Sequence, residues 1–153
     1  MSMTPQPFRA DDPDAILARV LEAHRRVLFT GPAGIGKSTL VDGLAARIEQ
    51  AGRGCWCISA DPGSPLFGVP GALCLGRRGT DGWSVEAIEA LCTLDAGRFR
   101  LPLIQAVTRL ARHAELGPDD LLLIDGPGVV RGIGGAELLP ALVQAAAVDA
   151  VMV

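Results

Sequence analysis

Gly31-Pro32-Ala33-Gly34-Ile35-Gly36-Lys37-Ser38-Thr39 has the residue types and spacing of a triphosphate cradle. It satisfies G-x-x-x-x-G-K-[ST], the P-loop pattern. A triphosphate is densely anionic and must be met by many donors at short range. The glycines let the backbone turn its N–H groups inward, and the helix after the loop aims its positive end at the same spot. Lys37 supplies a mobile charge for the β- and γ-phosphates, and the Ser38 hydroxyl is a hard oxygen donor suited to Mg²⁺.

Two acids are candidates to complete this chemistry. Leu121-Leu122-Leu123-Ile124 is an apolar run ending in Asp125, a Walker B pattern whose carboxylate meets the metal directly or through water. Gly128 comes next in an Asp-x-x-Gly arrangement and can lend an N–H to a γ-phosphate. Asp61 lies just after the run Cys55–Ser59 and admits two readings. It can reach Mg²⁺ or an incoming hydroxyl from the carboxyl end of a neighbouring strand. It can equally start an Asp-Pro-Gly turn. Arg98, Arg100 and Arg131 stand in loops expected at the ligand crevice, where guanidinium groups suit phosphate; a solvated loop is the bland alternative. Arg77 and Arg78 read as a solvated pair ahead of a phosphate clamp, and Trp83 as a packing residue ahead of a base-stacking one.

These side chains need a scaffold, and hydrophobic periodicity supplies one. Arg26–Thr30 reads as a buried strand and Leu40–Gln50 as a helix with Leu40, Val41, Leu44 and Ile48 at helical spacing. Cys55–Ser59 is a second strand. Residues 65–82 read as a Gly- and Pro-rich loop or a small β excursion with a short apolar piece, Ala72–Leu75, and Ala87–Leu94 as a third strand or a short helix. A helix opens at Pro102, another covers Ala136–Ala147, and a last strand covers Val148–Val153. The predicted fold class is α/β: a three-layer P-loop NTPase sheet, mostly parallel, with helices on both faces and incomplete at its C-terminus. Residues 1–11 are expected to be disordered. Residues 12–153 form one nucleotide-binding domain, opened by a helix capped at Asp12 with an apolar face of Ile16, Leu17, Val20 and Leu21.

A chain of 153 residues with 49% hydrophobic residues suits one domain with a substantial core. A net charge of −3 argues against a general nucleic-acid coat, although a local patch could still grip one end of a strand. Cys55, Cys57, Cys74 and Cys92 lack zinc-ligand spacing and read as reduced core thiols. The polar, proline-rich start and the short apolar tail predict neither a signal peptide nor a membrane span, and so a cytoplasmic protein.

The order of motifs resembles the P-loop domain of polynucleotide 5′-hydroxyl kinases, the RNA kinases of mRNA cleavage, tRNA splicing and rRNA processing. The resemblance is carried by Gly31–Thr39, Asp61-Pro62-Gly63-Ser64, Gly68–Leu75 and Ile124–Gly134, and it covers about residues 25–153. It implies transfer of the γ-phosphoryl group of ATP, with Mg²⁺, to the 5′-hydroxyl of RNA or DNA. Lys37 would steady the transferring group, and Ser38, Asp61 and Asp125 would serve the metal. Asp61 would orient or deprotonate the acceptor, and Gly126–Val129 would fall on the family's phosphate clasp. The chain departs from the pattern at Ser64, where the family carries Gln, and at Gly126 and Val129, where it carries Thr and Trp. The lid and base-binding part would lie past Val153. Two other classes share these motifs: an ATPase or GTPase switch or assembly factor, and a small-molecule kinase.

Overall fold

The computed structural model describes residues 15, 18, 19 and 22–153. The expected disordered start and the Asp12 cap with its apolar helix face lie outside the described residues. From Arg26 onward the chain forms nine elements: β1 (Arg26–Phe29), α1 (Lys37–Gln50), β2 (Cys55–Ser59), β3 (Ala72–Gly79), β4 (Gly82–Ala90), α2 (Arg100–His113), β5 (Leu121–Asp125), α3 (Gly132–Ala145) and β6 (Ala150–Met152). The strands form one sheet in the order β4-β3-β2-β5-β1-β6. The pairs β2–β5, β5–β1 and β1–β6 are parallel, whereas β3 and β4 form an antiparallel hairpin on the β2 edge.

Alternation along the strands builds two apolar layers. Val27, Phe29, Cys55, Cys57, Leu121 and Leu123 face Val41, Leu44, Ala45 and Ile48 of α1. Leu28, Trp56, Ile58, Leu122 and Ile124 face α2 and α3 on the other side. A strand buried on both faces has no polar side to show, which is why β5 is an unbroken apolar run. In α2 the buried residues Leu103, Ala106, Val107, Leu110 and Ala111 recur at helical spacing, and Pro102 falls in the first turn, where its missing N–H costs nothing.

The hairpin realises the small β excursion, but with other bounds than expected. β3 runs eight residues through Arg77 and Arg78, and β4 covers Gly82–Ala90, not Ala87–Leu94. Arg78 is not solvated: its Nη1 donates to Asp42 Oδ1 of α1 at 2.6 Å, and Trp83 Nε1 donates to the same oxygen at 2.8 Å. Arg77 lies over the Trp56 ring at 5.4 Å. Trp83 stacks on Phe67 with ring centroids 4.8 Å apart, so it is a packing residue. Gly76 is required beneath Phe67, because a Cβ there would come within 2.6 Å of the ring. Smaller corrections concern boundaries. β1 ends at Phe29, α2 begins at Arg100, α3 spans Gly132–Ala145, and β6 is confined to Ala150–Met152. Cys92 is exposed, whereas the other three thiols are buried. Among the described residues, no helix is long and apolar enough to cross a membrane.

Asp42 ties the hairpin to the helix that starts at the P-loop. Asp42→Ala is expected to cost about 1–2 kcal/mol, because two donors lose their acceptor at a half-exposed site. Urea unfolding should show a lower midpoint with an unchanged slope.

Candidate functional site

The parallel register sets three strand tips side by side. Phe29 pairs with Asp125, and Asp125 with Ser59. The chain leaving β1 becomes the P-loop, and the chain leaving β2 carries Asp61 two residues later. Ala60 N donates to Asp125 O at 2.9 Å and Gly126 N to Phe29 O at 3.0 Å, so the ladder continues one residue past the strands. Gly36 caps α1 in the left-handed region at φ 95°, with no side chain bonded to the helix N-terminus. The first-turn N–H groups are thereby free to meet an anion.

Ser38 Oγ donates to Asp125 Oδ2 at 2.7 Å. Asp125 is 1% exposed, and its Oδ1 is buried with no hydrogen-bond partner among the described residues. Burial pushes its carboxyl above the usual range. The Ser38 bond and the Lys37 charge pull the other way, and Asp61 adds to the rise. A hydroxyl bonded to a carboxylate with one buried unshared oxygen is a hard, anionic donor set, which fits Mg²⁺ shared with phosphate oxygens. Bound there, the metal would neutralise charge that develops on the phosphates.

Asp61 starts the turn that one of its two readings expected. Its Oδ1 accepts from Gly63 N at 3.0 Å and Ser64 N at 3.2 Å, which makes an Asx turn. The same residue lines two hollows. One, about 310 Å³, is walled by Gly34, Gly36, Lys37, Ser38 and Thr39 of the P-loop together with Ser64. The second, about 480 Å³, is lined by Thr93, Leu94, Asp95 and Ala96 and by Pro127, Gly128 and Val129. Ala33 and Asp61 belong to both. A larger hollow of about 560 Å³ lies by Arg26 and Arg112, at the far end of β1 from the P-loop, and holds none of these groups.

Of the expected site residues, Lys37, Ser38, Asp61 and Asp125 therefore converge. Gly128 lies against the P-loop: a Cβ there would sit 2.9 Å from Ala33 N, so only glycine permits the approach. The arginines divide. Arg100 is the first residue of α2, not a loop residue, and is engaged by Glu137 at 2.8 Å and by Gly97 O. Arg98 and Arg131 are exposed, and among the described residues no partner holds their guanidinium groups. Sequence reasoning missed Ser59, which is fully buried and whose Oγ accepts from Leu66 N at 2.9 Å, bracing the Asp61 loop. It also missed Asp95, although Asp-Ala-Gly is a turn signal that could have marked it.

A P-loop beside an acid-tipped strand, in a sheet of this order, defines a P-loop NTPase domain with a nucleotide-binding site. A sequence model of the family described as methylmalonyl Co-A mutase-associated GTPase MeaB matches residues 6–92, more than half of the chain. The chain belongs to that family. No curated protein matches it significantly. Among solved structures, wild-type Clp1p–Pcf11p aligns with a TM-score of 0.70 at 16% identity, over 90% of this chain and 39% of that one. A second Clp1p–Pcf11p structure, concerned with ATP loss in a point mutant, aligns with a TM-score of 0.68 at 14% identity, over 90% and 40%. At such identity these structures share the fold, and the chain spans about two-fifths of their length.

Asp125→Asn separates the two roles of this carboxylate. The native carboxyl titrates above its ordinary 3.8, so it stabilises the metal-free fold below that value and loses this contribution as pH rises. Thermal melts from about pH 4 to 7 should therefore favour the Asn variant increasingly as pH rises. Mg·nucleotide should raise the melting temperature of the wild type alone.

Proposed function

We propose that this domain transfers the γ-phosphoryl group of Mg·ATP to the 5′-hydroxyl at the end of an RNA or DNA strand. The observation that carries this reading is the place of Asp61, on the boundary between the P-loop hollow and a second cleft open to outside molecules. With Oδ1 spent on its turn, Asp61 Oδ2 is left for an acceptor O–H. The acceptor oxygen forms a bond to Pγ as the bond from Pγ to the β,γ-bridging oxygen breaks. The acceptor proton passes to Asp61 and then to solvent, and ADP leaves. Lys37 balances charge on the phosphate oxygens throughout. The ordered motif match to polynucleotide 5′-hydroxyl kinases supports the reading, as does the likeness to Clp1p, one structure of which concerns loss of ATP.

A second reading, a GTPase switch, is favoured by the family description. Water would then replace the alcohol in the same geometry. The matched residues 6–92 contain the P-loop and Asp61, but they stop before the 93–96 and 127–129 walls that make the second cleft.

Labelled ATP and GTP, offered with 5′-hydroxyl RNA, 5′-hydroxyl DNA, free nucleosides or water alone, separate the readings. Label on oligonucleotide 5′ ends, from ATP, is the expected result. Asp61→Ala should retain ATP affinity and lower transfer about 10²-fold or more. Free phosphate from GTP, unaffected by oligonucleotides, would establish the switch instead, and label on nucleosides alone a small-molecule kinase.

A further inference from the structure

The cleft beside Asp61 has a charge pattern unlike that of the P-loop hollow. Its walls are apolar at Leu94, Ala96, Pro127 and Val129. Among the described residues its two charged side chains are the carboxylates of Asp61 and Asp95, and no lysine or arginine lines it. Lys37 belongs to the neighbouring hollow. Asp95 is held in place by its own loop. Its N donates to Thr93 Oγ1 at 3.1 Å, and its Oδ1 accepts from Arg98 N at 3.0 Å. That bond comes from the Arg98 backbone, and among the described residues the Arg98 guanidinium makes no ion pair with Asp95. A conventional phosphate subsite would place cations here.

We propose that Asp95 is a specificity-determining residue that, with Asp61, makes this cleft a charge filter: it receives an uncharged sugar hydroxyl end with an apolar face and turns out the phosphorylated end. The proposal rests on the acceptor reading given above. Before transfer the acceptor end is neutral and can lie along the Leu94–Val129 wall while its hydroxyl meets Asp61. Transfer converts that hydroxyl to a phosphomonoester carrying about −1.5 to −2 charge at neutral pH. Two carboxylates, each held by backbone N–H groups of its own turn, repel that charge at short range. Phosphates further along the strand must be met outside the cleft, where Arg98 and Arg131 are exposed.

The test measures binding of 3′-labelled oligonucleotides, with a 5′-hydroxyl or a 5′-phosphate, to the full chain in Mg·ADP, the state that leaves room for a product phosphate. Asp95→Asn is expected to tighten 5′-phosphate binding at least threefold more than 5′-hydroxyl binding and to leave ADP affinity within twofold. Asp95→Glu should behave as the wild type. The same Asn variant should show stronger inhibition by 5′-phosphorylated product during turnover. Equal shifts for both ends, or no shift, would overturn the charge filter while leaving the kinase reading standing. Absence of both oligonucleotide binding and transfer to any alcohol would overturn the kinase reading, and the filter with it.

Discussion

The ladder that holds β1, β5 and β2 in parallel register is the constraint on which the site depends. It places the tips at Phe29, Asp125 and Ser59 abreast, so loops far apart in sequence open onto one crevice. A slip of one residue would exchange the two faces of a strand. Asp125 would then turn toward the wrong layer, and the alternating core would be exposed. Burial of Val27, Leu28, Leu121–Ile124 and Cys55–Ile58 therefore fixes the chemistry as well as the fold.

Within that frame the acids are held differently. Asp125 is buried, bonded to Ser38 through one oxygen and, among the described residues, to nothing through the other. Such a carboxylate is costly until a cation compensates it. Asp61 is part-exposed and shaped by local turn bonds, with Ser59 beneath the loop and Gly71 N bonded to Pro62 O at 2.9 Å behind it. One acid is buried and the other braced but accessible, which is the division of labour that the proposed transfer needs.

Much of this is legible in the chain. β2 can be read to the residue and β1 and β5 nearly so, because strands buried on both faces leave continuous apolar runs and the P-loop motif marks where β1 must end. The bounds of the hairpin are hidden for a physical reason. β4 is an exposed edge strand with Glu86 and Glu89, so it lacks the apolar run of a central strand, and Arg77–Arg78 look solvated until Asp42 and Trp56 are seen to meet them. The same long-range pairing hides the second cleft. Thr93–Ala96, Pro127–Val129 and Asp61 come from three loops that nothing local connects.

Water and alcohol differ as acceptors mainly in the space they need, and the arrangement around Asp61 leaves space for more than water. The most direct measurement is a crystal structure of the full chain with magnesium and a non-hydrolysable ATP analogue. The terminal phosphate is predicted to lie against Lys37, at the Ala33–Asp61 boundary, with the Asp61 carboxylate facing it and the cleft of Leu94, Asp95 and Val129 still open beside it. A terminal phosphate sealed from that cleft, or an Asp61 side chain turned out to solvent, would contradict transfer to an outside hydroxyl.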